Sequence, residues 1–96
     1  MLVKKRVPSN GHVRVTFQLQ DLKADAVELR GDFSGWGEAG KMRRDRDGNW
    51  RVTLTLESGR SYDFRYLVDD VTWINDPAAD RYVPNPFGSE NSVVTT

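Results

Sequence analysis

Apolar and polar residues alternate with period two along most of this chain, and that alternation predicts β-strands with one face on a core. Val13, Val15, Phe17 and Leu19 interleave with Arg14, Thr16 and Gln18. Val27 and Leu29 alternate with Glu28 and Arg30; Trp50, Val52, Leu54 and Leu56 with Arg51, Thr53 and Thr55. Tyr62, Phe64, Tyr66 and Val68 share one phase, leaving Asp63, Arg65 and Leu67 on the other, and Ser92-Val93-Val94-Thr95 reads as a last strand. Turn residues separate these runs: Asn10-Gly11, Asp47-Gly48 and Ser58-Gly59. Asp-Gly suits a tight hairpin because glycine tolerates positive φ. Residues 75–88 are predicted to be a long irregular stretch, with residues 77–82 offering a single helical turn. Short strands with regularly spaced turns predict an all-β domain, a β-sandwich. Residues 1–10 read as an N-terminal arm, either frayed or an edge strand, ahead of one sandwich domain over residues 11–96.

At 96 residues the chain has room for one domain, able to bury about 65% of its unfolded surface. Fourteen basic residues balance 14 acidic ones. That neutrality gives no electrostatic footprint for a nucleic acid or an anionic membrane. The first eight residues lack the apolar core of a signal peptide, and no apolar run reaches the ~20 residues of a membrane helix. The absence of cysteine removes disulfides, thiolate metal sites and thiol nucleophiles, and fits a cytoplasmic setting.

Two tryptophans carry the candidate chemistry. Trp36 ends the run Gly31-Asp32-Phe33-Ser34-Gly35-Trp36, just past a strand, and Trp73 follows Val68-Asp69-Asp70-Val71-Thr72. Each reads two ways: as a cap buried at one end of the sandwich, or as an exposed apolar plate. Paired plates beside Arg, Asn and Asp suit a sugar ring, whose faces are C–H and whose rim is hydroxyl. Trp50 differs, because its phase with Val52 and Leu54 assigns it to the core. Arg65 points away from the core if Phe64 and Tyr66 point in, as an ordinary surface cation or as a ligand contact.

Other groups read more plainly. Asp69, Asp70, Asn75, Asp76 and Asp80 are expected as turn formers bound to nearby backbone amides, against a glycosidase carboxylate pair or a calcium site. Residues 45–49 lack the full calcium-loop spacing and its terminal Glu. His12, the only histidine, stands in the surface phase of its strand, so neither a zinc site nor a histidine-based triad has support. Lys4-Lys5-Arg6 reads as a solvated arm. No metal, cofactor or catalytic residue is expected.

The order of motifs then resembles a known family. Val27-Glu28-Leu29-Arg30-Gly31-Asp32-Phe33-Ser34-Gly35-Trp36 is followed by Gly48-Asn49-Trp50-Arg51-Val52-Thr53-Leu54. Next come Tyr62-Asp63-Phe64-Arg65-Tyr66-Leu67-Val68-Asp69, then Trp73, Asp76-Pro77 and Gly88-Ser89-Glu90-Asn91-Ser92-Val93-Val94. Over residues 13–94 this is similar to the family 48 carbohydrate-binding modules. They include the glycogen-binding domain of the AMP-activated protein kinase β subunit and the isoamylase early-set domains. The segment Val83-Pro84-Asn85-Pro86-Phe87-Gly88 resembles the short bacterial early-set proteins.

The resemblance implies an immunoglobulin-like β-sandwich and a non-catalytic module for glycogen, starch or other α-1,4-linked glucan. It implies that Trp36 and Trp73 stack on glucose, that Arg65 and Asn91 contact hydroxyls, and that Phe87 projects into the bend of the oligosaccharide. Two departures stand out. Arg65 replaces the kinase subunit's Lys, and Val68-Asp69-Asp70 replaces Val-Asp-Gly with one extra residue before Trp73, which would shift Trp73 relative to Trp36. The rival reading is a protein-interaction sandwich that docks on a partner such as a glucan-metabolising enzyme without binding glucan itself.

Overall fold

The computed structural model describes residues 1–7 and 11–96. The long alternating runs are strands: β2 (His12–Leu19), β3 (Val27–Gly31), β6 (Trp50–Glu57), β7 (Ser61–Val68) and β10 (Glu90–Thr95). Five further strands are short or lack alternation: β1 (Leu2–Val7), β4 (Glu38–Lys41), β5 (Arg43–Arg44), β8 (Thr72–Ile74) and β9 (Arg81–Pro84). They form two antiparallel sheets, one in the order β1-β2-β6-β5 and the other β4-β3-β7-β10-β9, with β8 also paired to β7. This is an immunoglobulin-like β-sandwich. The chain changes sheets between β4 and β5 at Met42, whose buried side chain enters the core while its amide donates to the Val27 carbonyl at 2.8 Å.

Two expectations change, and one open alternative resolves. Residues 75–88 are not irregular throughout, since β9 lies inside them and pairs with β10. Residues 77–82 form no helical turn; the one helical element among the described residues is a 3-10 turn, Asp32–Ser34. Residues 2–7 pair along β2 as an edge strand. The Asn10-Gly11 turn, and with it the boundary between arm and sandwich, involves Asn10, which lies outside the described residues.

Alternation works as the pleat requires. Val13, Val15, Phe17 and Leu19 point inward from one sheet, and Val27, Leu29, Phe64, Tyr66 and Val94 from the other. Aromatic rings bridge the gap: Phe17 meets Phe64 edge-on at 5.1 Å, Phe64 meets Tyr66 at 5.6 Å, and Phe33 from the 3-10 turn meets Phe17 at 5.8 Å. Trp50 is buried, as its phase predicts, and its indole donates to the Leu22 carbonyl at 2.9 Å.

Charged groups tie the sandwich's open side. The Asp76 carboxylate is fully buried; it accepts from the Met1 α-amino group at 2.6 and 2.7 Å, Tyr66 Oη at 2.7 Å and the Ala78 amide at 2.8 Å. Burial first, then the neighbouring Asp76 charge and hydrogen bond, push the Tyr66 phenol well above its ordinary range, so it remains a donor. Asp76 is therefore more than a turn former. Lys4 is likewise not a solvated arm residue, for its Nζ lies 2.6 Å from Asp80. An inward-turned lysine also protects an edge strand against pairing with another chain. Burial raises the Asp80 carboxyl, but Lys4 and the Thr95 amide, which donates at 2.7 Å, outweigh it and hold the group below the ordinary carboxylate range.

Two outcomes test this frame. Phe17→Ala removes the central ring and should lower unfolding free energy in urea by about 3–5 kcal/mol. Asp80→Asn should destabilise by about 1 kcal/mol at pH 7. Because the folded pKa of Asp80 is lowered, its contribution is present above the unfolded value near ~3.9 and lost as pH falls through the folded one. The gap between wild type and Asp80→Asn should therefore close as unfolding is measured at successively lower pH below about 4; a gap constant down to pH 2 would count against the pair.

Candidate functional site

The outer face of the six-stranded sheet carries the candidate residues. Leu29 and Tyr66 are register partners pointing inward, so the next pair, Arg30 and Arg65, points outward. Trp73 stands opposite Leu67 on the same outer face, and Asn91 alternates outward from buried Ser92.

Trp36 reaches this face through the turn after β3. Gly31 must be glycine, since a Cβ there would lie 2.5 Å from the Asp63 carbonyl oxygen and 2.9 Å from Phe64 Cβ. That close approach lets Asp32 accept from the Asp63 amide at 2.8 Å through Oδ2 and from the Trp36 indole at 3.1 Å through Oδ1. Phe33 turns into the core, and Ser34 Oγ donates to the Gly31 and Gly37 carbonyls at 3.1 and 2.8 Å. Trp36 itself has φ 66°, a left-handed conformation that an L-residue adopts at a cost of about 1–2 kcal/mol. The turn around it is over-determined, and the strain is spent on turning an indole outward.

Trp73 is delivered differently. It belongs to β8, a strand, where the sequence predicts a turn. The extra residue is absorbed by Asp69 and Asp70, both left-handed at φ 52° and 59°, in a tight turn closed by the Val71 amide on the Val68 carbonyl. Asp69 Oδ1 then accepts from the Asp25 and Ala26 amides, both at 2.8 Å. The longer loop therefore leaves Trp73 beside Trp36, with ring centroids 6.3 Å apart and planes at 59°.

Both rings line a cleft of about 540 Å³ together with Arg65, Asn85, Pro86, Phe87 and Asn91. The five sequence-predicted residues thus converge in one place. Phe87 is 91% exposed, an unusual state for a phenylalanine. Arg65 lines the cleft, with its Nε buried and without a hydrogen-bond partner among the described residues. Asn91 is set between two neighbours: its Nδ2 donates to Asp63 at 3.4 Å, and its Oδ1 accepts from Asn85 Nδ2 at 3.2 Å.

Sequence reasoning missed two kinds of contributor. Asn85 and Pro86 line the cleft, and Asn85 Oδ1 shapes the loop by accepting from the Phe87 and Ser89 amides at 3.0 and 3.2 Å. Asn85 sits between two prolines, which marked a turn but not its partner. Asp32 and Arg30 act from beside the rings; nothing in their own spacing announces it, because Asp32 is anchored by the Asp63 amide of β7 and Arg30 meets Trp73 of β8. Of the aspartates weighed as a hydrolase or metal cluster, Asp69 is committed to amides, Asp76 to Tyr66 and Met1, and Asp80 to Lys4 and Thr95, while Asp70 is an exposed turn residue. Among the described residues, no three His, Cys, Asp or Glu side chains gather around a possible metal position.

The family model described as the glycogen recognition site of AMP-activated protein kinase matches residues 13–96. The chain belongs to this family. Membership supports glycogen binding by this module, and carbohydrate-binding modules are a non-catalytic class. The match opens on β2, so β1 lies outside it. No curated protein matches the chain.

The glycogen-recognition fold leaves Trp36 dependent on Asp32. Asp32→Ala should reduce stability by about 1–2 kcal/mol through two lost hydrogen bonds. It should also lower the steady-state anisotropy of Trp36 in a protein whose other tryptophans are Phe. Unchanged anisotropy would show that Asp32 does not hold the ring.

Proposed function

We propose that this module binds α-1,4-linked glucan, in glycogen, starch or free maltooligosaccharides, with Trp36 and Trp73 as stacking plates for neighbouring glucose rings. Arg65 and Asn91 donate to hydroxyls, and Phe87 fills the concave side of the curved chain. The observation that carries this reading is the cleft shared by two tilted indoles, the Arg65 guanidinium and an almost fully exposed phenylalanine. Tilted plates suit a chain that turns between successive rings better than a flat ribbon of sugars. A planar guanidinium offers several donors in a fixed fork, a change from the compact ammonium of lysine that favours vicinal hydroxyl pairs.

Magnitudes point to weak binding at a single site. If each indole removes roughly 50–100 Å² of apolar surface from water, the gross gain is about 1–2.5 kcal/mol per ring. Rigid-body and ordering costs then leave an affinity on the order of micromolar to millimolar. A branched polymer surface compensates by offering many sites at once.

The test is a titration with maltoheptaose and with β-cyclodextrin, followed by tryptophan fluorescence. Wild type should show a saturable change, abolished in Trp36→Ala and Trp73→Ala while both variants keep their thermal midpoint within a few degrees, roughly 1 kcal/mol or less. If folded wild type shows no change up to several millimolar ligand, the reading fails, and the same exposed aromatic face becomes the docking surface for a protein partner such as a glucan-metabolising enzyme.

A further inference from the structure

Trp73 stands on a three-residue strand that pairs only with β7 among the described residues, so its backbone is weakly tethered. Its ring nevertheless has a defined angle to Trp36. One neighbour supplies the constraint from β3: the Arg30 guanidinium carbon lies 5.9 Å from the centroid of the Trp73 ring. Arg30 does not line the cleft that holds both indoles; it lines the adjoining groove with Glu28, Glu38, Lys41 and Asp70. The guanidinium therefore backs Trp73 and leaves the ring's cleft side open. Glu28, itself almost fully buried, holds Arg30 Nη2 at 3.2 Å. Arg30 Nε is buried without a partner among the described residues, so the ion pair and the ring are what fix the group. Arg30 also faces Arg65 directly across the β3–β7 ladder. Like charges opposite one another destabilise a sheet, and a hydrophobic residue at either position would relieve that. The pair makes physical sense if each guanidinium has a separate task.

We propose that Arg30, held by Glu28, is a positioning residue that clamps the Trp73 ring at its angle to Trp36 by a cation–π contact and so sets the affinity of the cleft for a curved chain of glucose rings. The consequence for affinity rests on the glucan reading above; the positioning itself does not. Glu28, Arg30, Trp73 and Trp36 are linked by successive contacts, from an almost fully buried carboxylate to the half-buried Trp36 ring. Arg65 has no carboxylate partner among the described residues and lines the cleft, whereas Arg30 is paired with Glu28 behind it.

The proposal is tested on the full chain with Arg30→Ala, Arg30→Lys, Arg30→Met and Glu28→Gln. Two indoles this close and tilted give an exciton couplet in circular dichroism, and Trp36→Phe identifies it by abolishing it. In Arg30→Ala the couplet should shrink without ligand, and maltoheptaose should bind about 2- to 5-fold more weakly, the range of an exposed or partly buried cation–π contact. Arg30→Lys should restore part of both effects, because an ammonium also binds an indole face, and Glu28→Gln should give a smaller loss in the same direction. Arg30→Met, which keeps the apolar stem without the charge, should restore neither. A couplet unchanged in Arg30→Ala overturns the proposal, as does full restoration by methionine, which would assign the effect to stem packing. Absence of binding by wild type would refute the glucan reading alone, since the couplet in the ligand-free variants still decides whether Arg30 positions Trp73.

Discussion

The binding face depends on one close approach, the backbone contact between β3 and β7 at Gly31. A Cβ at that position would overlap both the Asp63 carbonyl and Phe64 Cβ. With only hydrogen there, the chain leaving β3 stays pressed against β7, and Asp32 reaches the Asp63 amide and the Trp36 indole together. The same turn drives Phe33 into contact with Phe17 and Tyr62. One residue of the turn is thus sunk in the core and another is raised on the surface. A charged acceptor between them makes hydrogen bonds worth about twice a neutral one, which stiffens the lever. The left-handed backbone of Trp36 is tolerated because the anchor beneath it is stronger than the strain, roughly 1–2 kcal/mol.

A second anchor steadies the other plate. The chain after β8 passes at once into Asp76, whose carboxylate is buried against Tyr66 Oη and whose amide donates to Ser92 Oγ at 2.9 Å. Ser92 in turn donates to Asn75 at 2.8 Å. β7, β8 and β10 are therefore joined beneath the face as well as along their edges. A buried carboxylate stripped of its donors would cost several kcal/mol, so the network is over-satisfied for a reason: it closes the sandwich where β8 gives way to β9. Trp73 needs this because three residues of pairing with β7 alone make a weak strand.

Legibility in the sequence followed strand length. β2, β6 and β7 run eight residues each, long enough for period two to show; the inward positions of β2 are all buried, while inward Val52, Leu54 and Tyr62 are half-buried and outward Leu67 is buried. β4, β5, β8 and β9 run four, two, three and four residues. β5 is Arg-Arg and β9 ends in proline, so no alternation marks them; their pairing comes from neighbouring strands. The site divides in the same way. Trp36 and Trp73 stood out by residue type and Arg65 by phase, whereas Phe87 and Asn91 needed the family resemblance, because nothing in their own spacing links them to a tryptophan 50 residues away. Arg30 was illegible because only the β3–β7–β8 register brings it to Trp73, and Asp32 because its hold on Trp36 depends on the turn geometry and on its anchor, the Asp63 amide of β7.

That division has a physical reason. A large apolar ring on a polar turn is out of its ordinary place, so Trp36 and Trp73 look anomalous even in a bare sequence. A residue that positions another looks ordinary, because an arginine on a strand's outer phase or an aspartate in a turn is where propensity would put it anyway. The exposed apolar area also carries a stability penalty, a kilocalorie or two for each large ring left facing water. The two indoles reduce that penalty by leaning on each other, and a guanidinium behind one and a carboxylate below the other reduce it further. The arrangement that keeps the rings tolerable in water is therefore the same one that holds them tilted toward each other.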